Sequence, residues 1–364
     1  MSRGSPQAPQ PKVGEGPAAA AGLADPRIDP RIKAMLALLP PLPPVGDVAS
    51  REALLEEEAS ELGRAIAAGQ AAWAEAIDDE AVAPSAGLTL ATERFASEPA
   101  GNEIRVLLIR PEGEGPWPCV YYVHGGGMQT MSCFDGLYRA WGKTIAAHGV
   151  AVAMVDFRNC LRPSTALEVA PYPAGLDDCV SGLRWLHANA DALALDPRRI
   201  VVAGESGGGN LTLATGLRLL REGDIARVKG LYALCPYIAG SWPQARYPSS
   251  VENNGLLLDL HNNRGAMAYG VDAFLARDPL AWPDFAEVAD LRGLPPTVIS
   301  VNECDPLRDE GIAFYRRLLA ADVPARGREV LGTVHGTEIF LCCPDISRST
   351  ARDIADFCRK GGEL

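Results

Sequence analysis

The stretch RRIVVAGESGGGNLTLATGLRLL, residues 198–220, runs from β-branched residues through Gly204-Glu205-Ser206-Gly207-Gly208 into an amphipathic repeat. A strand that turns sharply into a helix at a serine lifts the hydroxyl out of the sheet. Such a turn needs small residues two positions to either side, here Gly204 and Gly208. G-x-S-x-G alone also fits an ordinary glycine-rich turn, but the strand before it and the helix after it favour a nucleophile. Outward from this step the same alternation recurs. Strand-like runs cover 88–96, 103–110, 118–123, 150–157, 199–203, 228–234, 296–301 and 325–331. Helical stretches at 137–148, 174–195, 207–221, 307–321 and 347–360 alternate with them after the third run. The pattern predicts an α/β fold: an eight-stranded, mostly parallel sheet, opened by an antiparallel hairpin and covered by helices on both faces.

A second signal, WPCVYYVHGGGMQ at 117–129, ends a strand in His124-Gly125-Gly126-Gly127. Successive glycines let backbone N–H groups approach a developing oxyanion closely. A phosphate loop is the rival, but no G-K-[ST] follows. Spacing leaves open which of the three glycines donate. The N–H of Gly207, at the positive end of its helix, is the expected further donor. A serine nucleophile needs a base, and the chain holds five histidines. His124 belongs to the glycine motif, His148 and His187 to helical stretches, and His261 to a long connection. That leaves His335, in EVLGTVHGTE after the eighth strand-like run. The acid that orients it is expected after a strand between Ser206 and His335. In PPTVISVNECDPLRDEG, residues 295–311, Asp305 is preferred because Pro306 forces a turn directly after it, with Glu303 as the alternative. Asp278, in another Asp-Pro-Leu, follows no strand and reads as a turn residue. The order Ser206, Asp305, His335 is that of an α/β-hydrolase triad.

Composition bounds the partners. Acidic residues number 46 against 34 basic, a net charge of -12, so polyanions are repelled and nucleic acid and anionic membranes are poor partners. With 47% hydrophobic and 22% charged residues, the chain is neither disordered throughout nor a coiled coil. No apolar run approaches the roughly 18 residues of a membrane helix. The opening MSRGSPQAPQPKVGEGPAAAAG has no secretory apolar stretch, and a cytoplasmic home is expected. Nine cysteines without C-x-x-C pairs or metal-ligand spacing read as reduced core residues, with no metal site expected. Residues 1–22 read as a flexible tail and 23–85 as an N-terminal helical region, with Ser50 as an N-cap and the prolines of 40–44 as a break. Residues 86–364 form the remaining domain. Its segment 236–294 is too long for an ordinary α/β connection and is expected to build part of a pocket, since Trp242, Phe274, Trp282 and Phe285 exceed what a surface excursion needs.

HGGG at 124–127, GESGGGN at 204–210, PYPAGLDDC at 171–179, and DPLRDEG at 305–311 followed by VHG at 334–336 resemble the hormone-sensitive-lipase family of microbial carboxylesterases, over most of residues 86–360. PYIAG, SSVENNG, LAWP and LRGLPP, all within 236–296, resemble a macrolactone-cleaving branch of it. The resemblance implies an α/β-hydrolase fold and a helical cap made by the N-terminal helices with parts of the insertion. It also implies cofactor-free hydrolysis of short- to medium-chain acyl esters or lactones through an acyl-enzyme. By motif it gives the catalytic roles to Ser206, Asp305 and His335 and the oxyanion donors to Gly126, Gly127 and Gly207. The family's habit of pairing makes a homodimer the expected assembly. Many members carry aspartate or a small residue where Glu205 stands. A charge there would raise the basicity of His335 or pair with a structural partner, and the second reading is favoured. Relatives that only bind small molecules have lost the histidine, so His335 argues for an enzyme. A binding protein and an acyltransferase using the same triad are the alternatives.

Overall fold

The computed structural model describes residues 24–38 and 45–364; the expected tail at 1–22 and the proline break at 40–44 lie outside the described residues. Among the described residues, the helices before the sheet are α1 (Pro30–Leu36), α2 (Arg51–Ala59) and α3 (Glu61–Ala76). Ser50 caps α2 by accepting the Ala53 N–H. The helical pattern after it is not continuous. Ser60 adopts an extended backbone with ψ 164°, and its Oγ accepts the Gly63 N–H, so one serine ends α2 and starts α3.

The sheet contains β1 (Leu88–Ala96), β2 (Glu103–Pro111), β3 (Trp117–Val123), β4 (Ala151–Val155), β5 (Leu195–Glu205), β6 (Gly230–Leu234), β7 (Thr297–Asn302) and β8 (Ala325–Val330), in the order β1-β2-β4-β3-β5-β6-β7-β8. β1 and β2 pair antiparallel, β2 meets β4 antiparallel, and every later pairing is parallel. All eight strand-like runs are strands. The largest boundary differences fall together: the helix expected over 174–195 stops at Ala188, and β5 begins at Leu195, ahead of its β-branched run. Leu195 pairs with Trp117 but Ile200 with Cys119, and this irregular register holds Asp196 where it bonds both Arg198 and Arg199. The β-branched pattern starts only where the regular ladder does.

Helices α4 (Gly136–Ala146), α5 (Ala174–Ala188), α6 (Gly207–Arg221), α7 (Arg308–Ala320) and α8 (Pro344–Arg359) cover both faces. Alternation along β3 shows the layering. Cys119, Tyr121 and Val123 enter one core with Leu183 of α5, Leu213 of α6 and Phe314 of α7. Val120 and Tyr122 enter the other with Trp141 of α4 and Ile354 of α8. A strand buried on both faces reads as an unbroken apolar run. Each such side chain contributes roughly 1.5–3 kcal/mol, which makes the carboxyl edge of the sheet a stiff platform.

The segment 236–294 contributes to the cavity as expected, but not through the aromatic residues singled out for it. The aromatic residues of 236–294 pack on one another and join the core on one face of the sheet: Tyr237 stacks on Trp242 at 4.6 Å, Trp282 meets Tyr237 edge-on at 5.5 Å, and Phe274 lies against Phe285. None of the four aromatics singled out lines the active-site cavity; Tyr237, Leu257, Leu258 and Leu260 do. Glu310 of α7 anchors this core, accepting from the Ile238 and Ala239 N–H groups and from Trp242 Nε1–H. The apolar residues of the helices before the sheet are buried unevenly. Ile32 and Leu36 pack against Cys304 and Val334, behind the loops carrying Asp305 and His335, whereas Leu62 is 66% exposed.

Candidate active site

Ser206 sits at φ 57° and ψ -119°, a left-handed backbone that a residue with a Cβ adopts only under constraint. The constraint is visible. Its N–H donates to the Leu234 carbonyl at 3.0 Å, and its own carbonyl accepts from the Asn210 and Tyr237 N–H groups, each at 3.0 Å. A Cβ on Gly208 would lie 2.0 Å from the Val123 carbonyl oxygen, and one on Gly204 would lie 2.5 Å from the same atom. The two glycines let the elbow pass between β3 and β5, which is the physical content of the motif. Ser206 is half-buried among buried neighbours and faces the cavity.

Asp305 follows β7 and His335 follows β8, so parallel pairing of these strands brings the two together. Asp305 Oδ1 accepts the Leu307 N–H at 2.9 Å, and Oδ2 accepts Nδ1–H of His335 at 2.8 Å. This bond assigns the tautomer and leaves Nε2 as the accepting nitrogen. Burial draws the imidazole pKa down, but the Asp305 carboxylate outweighs it and holds the imidazole well above its ordinary value. Glu303, the alternative acid, turns elsewhere: its Oε2 accepts the Gly332 N–H at 2.6 Å, bracing the loop before His335. Asp278 accepts from Tyr172 OH and from the Leu280 N–H. His124 is buried, stacked 4.2 Å from Phe157, and its Nδ1 bonds the Gly125 carbonyl. Cys235 was not anticipated. It follows β6 at φ 33°, and its thiol, the Asp305 carboxylate and the His335 ring have atoms within 4.8 Å of one another. Burial pushes that thiol up to about 11, so it stays protonated at neutral pH. Its place directly after a strand at the carboxyl edge was the signal available in the sequence.

Gly126 and Gly127, at φ 84° and 64°, line the cavity with Ser206 and His335. The elbow touches this loop: a Cβ on Gly207 would lie 2.8 Å from the Gly127 nitrogen. Gly125 is different. Its N–H is occupied, donating to Glu205 Oε1 at 2.7 Å and to the Tyr138 hydroxyl oxygen at 2.9 Å. Glu205 accepts further bonds from Tyr138 OH at 2.6 Å and Tyr122 OH at 2.5 Å. Burial pushes its carboxyl up to about 7 against the pull of these donors.

The cavity above these groups measures about 790 Å³. Helix α3 forms one wall with Ala67, Ala71 and Trp73, and Leu258, Ile339 and Phe340 line it from other segments. Arg162 ties α2 and α3 to the sheet domain, bonding Glu58 at 2.7 Å and Gln70 at 3.1 Å. The arrangement joins a constrained hydroxyl, an oriented imidazole and free backbone donors beneath an apolar chamber, the parts that acyl transfer requires.

Comparison with known proteins agrees. A family model described as the alpha/beta hydrolase fold matches residues 120–339. Carboxylesterase NlhH of Mycobacterium tuberculosis is 35% identical over 244 residues, spanning 65% of this chain and 72% of the relative. Among solved structures, esterase Est22 is 61% identical with a TM-score of 0.90, covering 93% of this chain and 99% of that one. Brefeldin A esterase, a bacterial homologue of human hormone-sensitive lipase, is 37% identical with a TM-score of 0.82, covering 93% and 95%. The chain therefore belongs to the hormone-sensitive-lipase-like family of α/β-hydrolase-fold enzymes and is a serine carboxylesterase.

Proposed function

We propose that Ser206, His335 and Asp305 are the catalytic triad, that Gly126, Gly127 and Gly207 donate to the oxyanion, and that the substrates are short- to medium-chain acyl esters or lactones. The 2.8 Å bond between Asp305 and His335, the latter lining one cavity with the constrained Ser206, carries this reading. Nε2 of His335 takes the hydroxyl proton as Ser206 Oγ bonds the ester carbonyl carbon, and the carbonyl electron pair moves onto oxygen, where the three N–H groups receive it. Collapse breaks the bond to the alcohol, which leaves with the proton from Nε2. Water, deprotonated by the same nitrogen, then releases the acid from the acyl-enzyme. In the N-terminal region, 23–85, the cap role falls to α3, which supplies one cavity wall, while α1 packs behind the loops of Asp305 and His335. A chamber of about 790 Å³ with mostly apolar walls suits a modest acyl chain together with its alcohol. Nine unbonded cysteines, eight of them buried, fit a reducing compartment, and we place the enzyme in the cytoplasm as a homodimer.

Steady-state kinetics on folded variants test the triad. Ser206→Ala and His335→Ala are each expected to lose on the order of 10⁴-fold or more in kcat, and Asp305→Asn about 10- to 100-fold less than that, because the three act as a unit. Asp278→Asn is expected to stay near the unsubstituted enzyme. A folded Ser206→Ala that turns over, or equal losses at 278 and 305, overturns the assignment.

A further inference from the structure

The mechanism above makes no use of Glu205, although its carboxylate is buried next to the nucleophile in sequence and lines the same cavity. Three elements converge on it. Tyr122 comes from β3, Tyr138 from α4, and the Gly125 N–H from the loop that ends β3. The glycine at 125 answers to this carboxylate, because a Cβ there would lie 2.3 Å from Glu205 Oε1. The side chain thus occupies the volume a larger residue would need, and it holds the Gly125 N–H at 2.7 Å. The next two residues, Gly126 and Gly127, reverse at positive φ and meet the elbow at Gly207.

We propose that Glu205 is the positioning residue of the oxyanion loop: by gripping the Gly125 N–H from the residue beside the nucleophile, it sets the Gly126 and Gly127 N–H groups in register with Ser206 Oγ. A purely structural ion would be expected to meet a cationic partner, whereas this one meets a backbone amide of the loop and two tyrosine hydroxyls. Its contribution is made when charge develops on the substrate oxygen and not when the neutral ester binds, so it belongs to kcat and not to KM.

The inference rests on Ser206 as the nucleophile, and the two are separable by experiment. Reaction of the unsubstituted enzyme with a fluorophosphonate tests Ser206 alone. Glu205→Gln, Glu205→Ala and Tyr138→Phe are then compared for kcat, KM and the inhibition constant of an aryl trifluoromethyl ketone, whose serine adduct carries an oxyanion. Glu205→Gln keeps the shape of the side chain and Tyr138→Phe removes one hydroxyl, so both keep the test decisive should Glu205→Ala fail to fold. The expected result is a loss of about 10- to 100-fold in kcat for Glu205→Gln, KM within about twofold, and an inhibition constant that worsens by the same factor as kcat/KM. Tyr138→Phe shows the same pattern with a smaller loss. Folded variants that keep kcat and the ketone's affinity, or that lose only KM, overturn the proposal.

Discussion

A buried carboxylate without a cationic partner lowers stability, and Glu205, which meets no cationic side chain among the described residues, carries that burden beside the nucleophile. Its pKa in the folded chain is about 7 against an ordinary 4.5. The folded state therefore binds this proton more tightly than the unfolded chain, and stability falls as pH rises from about 4.5 to 7, by roughly 3 kcal/mol in all. Glu205→Gln removes the titration, so thermal melts at pH 5 and pH 8 are expected to favour the variant over the unsubstituted enzyme more strongly at pH 8. An equal difference at both pH values contradicts this. His335 sets the activity profile. Because Asp305 holds its imidazole well above 6.5, it remains protonated and unable to accept the serine proton until the pH exceeds that ordinary value. The acid limb of kcat/KM is expected above pH 6.5 and should move down when Asp305→Asn removes the carboxylate; a limb near 6.5 that ignores the substitution refutes it. At this scale the sequence was informative where chemistry narrows the choice. Few histidines exist, an acid must follow a strand, and so Ser206, Asp305 and His335 could be singled out by position. The partners of Glu205 could not, because Tyr122 and Tyr138 stand 83 and 67 residues away and only the folded sheet brings them near.

Among elements, the strands were legible because they are short runs bounded by turn residues, and β3, β4, β6 and β7, buried along nearly their whole length, read as continuous apolar stretches. The helices before the sheet were less so. Leu62 sits on the helical stripe with Trp73 and Ile77 yet is exposed, since α3 rests on the sheet domain through Ala74, whose carbonyl lies where a Cβ on Gly136 would fall, 2.7 Å away. A small-residue contact leaves almost no hydrophobic signature. The segment at 236–294 does build part of the pocket, through Tyr237, Leu257, Leu258 and Leu260, but Trp242, Phe274, Trp282 and Phe285, the aromatics that signalled it, pack into the core shared with the sheet. Helix α1 braces the catalytic loops from behind, with Ile32 fully buried against Cys304 and Val334, and the Asp29 N–H bonding the Gly332 carbonyl at 2.9 Å. Ile32→Ala is expected to cost about 2–5 kcal/mol and to lower kcat as the loops of Asp305 and His335 loosen, whereas Leu62→Ala should stay within about 0.5 kcal/mol. Denaturant unfolding with parallel kinetics checks both; comparable effects at the two positions would remove the brace.

Across the whole molecule, the site gathers residues from 35 to 340 at one edge of a single sheet, and the topology explains how. Parallel strands deliver their following loops to the same end, so the glycine loop after β3, the elbow after β5, Cys235 after β6, Asp305 after β7 and His335 after β8 arrive together. The chain order serine, acid, histidine follows directly from the order of β5, β7 and β8. The shape of the chamber could not be read in the same way, because α3 contributes mainly alanines, and their significance lies in the space they leave. The central claim is that this edge carries a covalent ester-hydrolysis site with Ser206 as the nucleophile. Intact-mass and peptide analysis of the enzyme after treatment with a fluorophosphonate tests it most directly. One adduct per chain, on the peptide containing Ser206 and absent from folded Ser206→Ala, is the predicted result; a folded enzyme that hydrolyses esters but stays unlabelled, or one labelled at another residue, would contradict it.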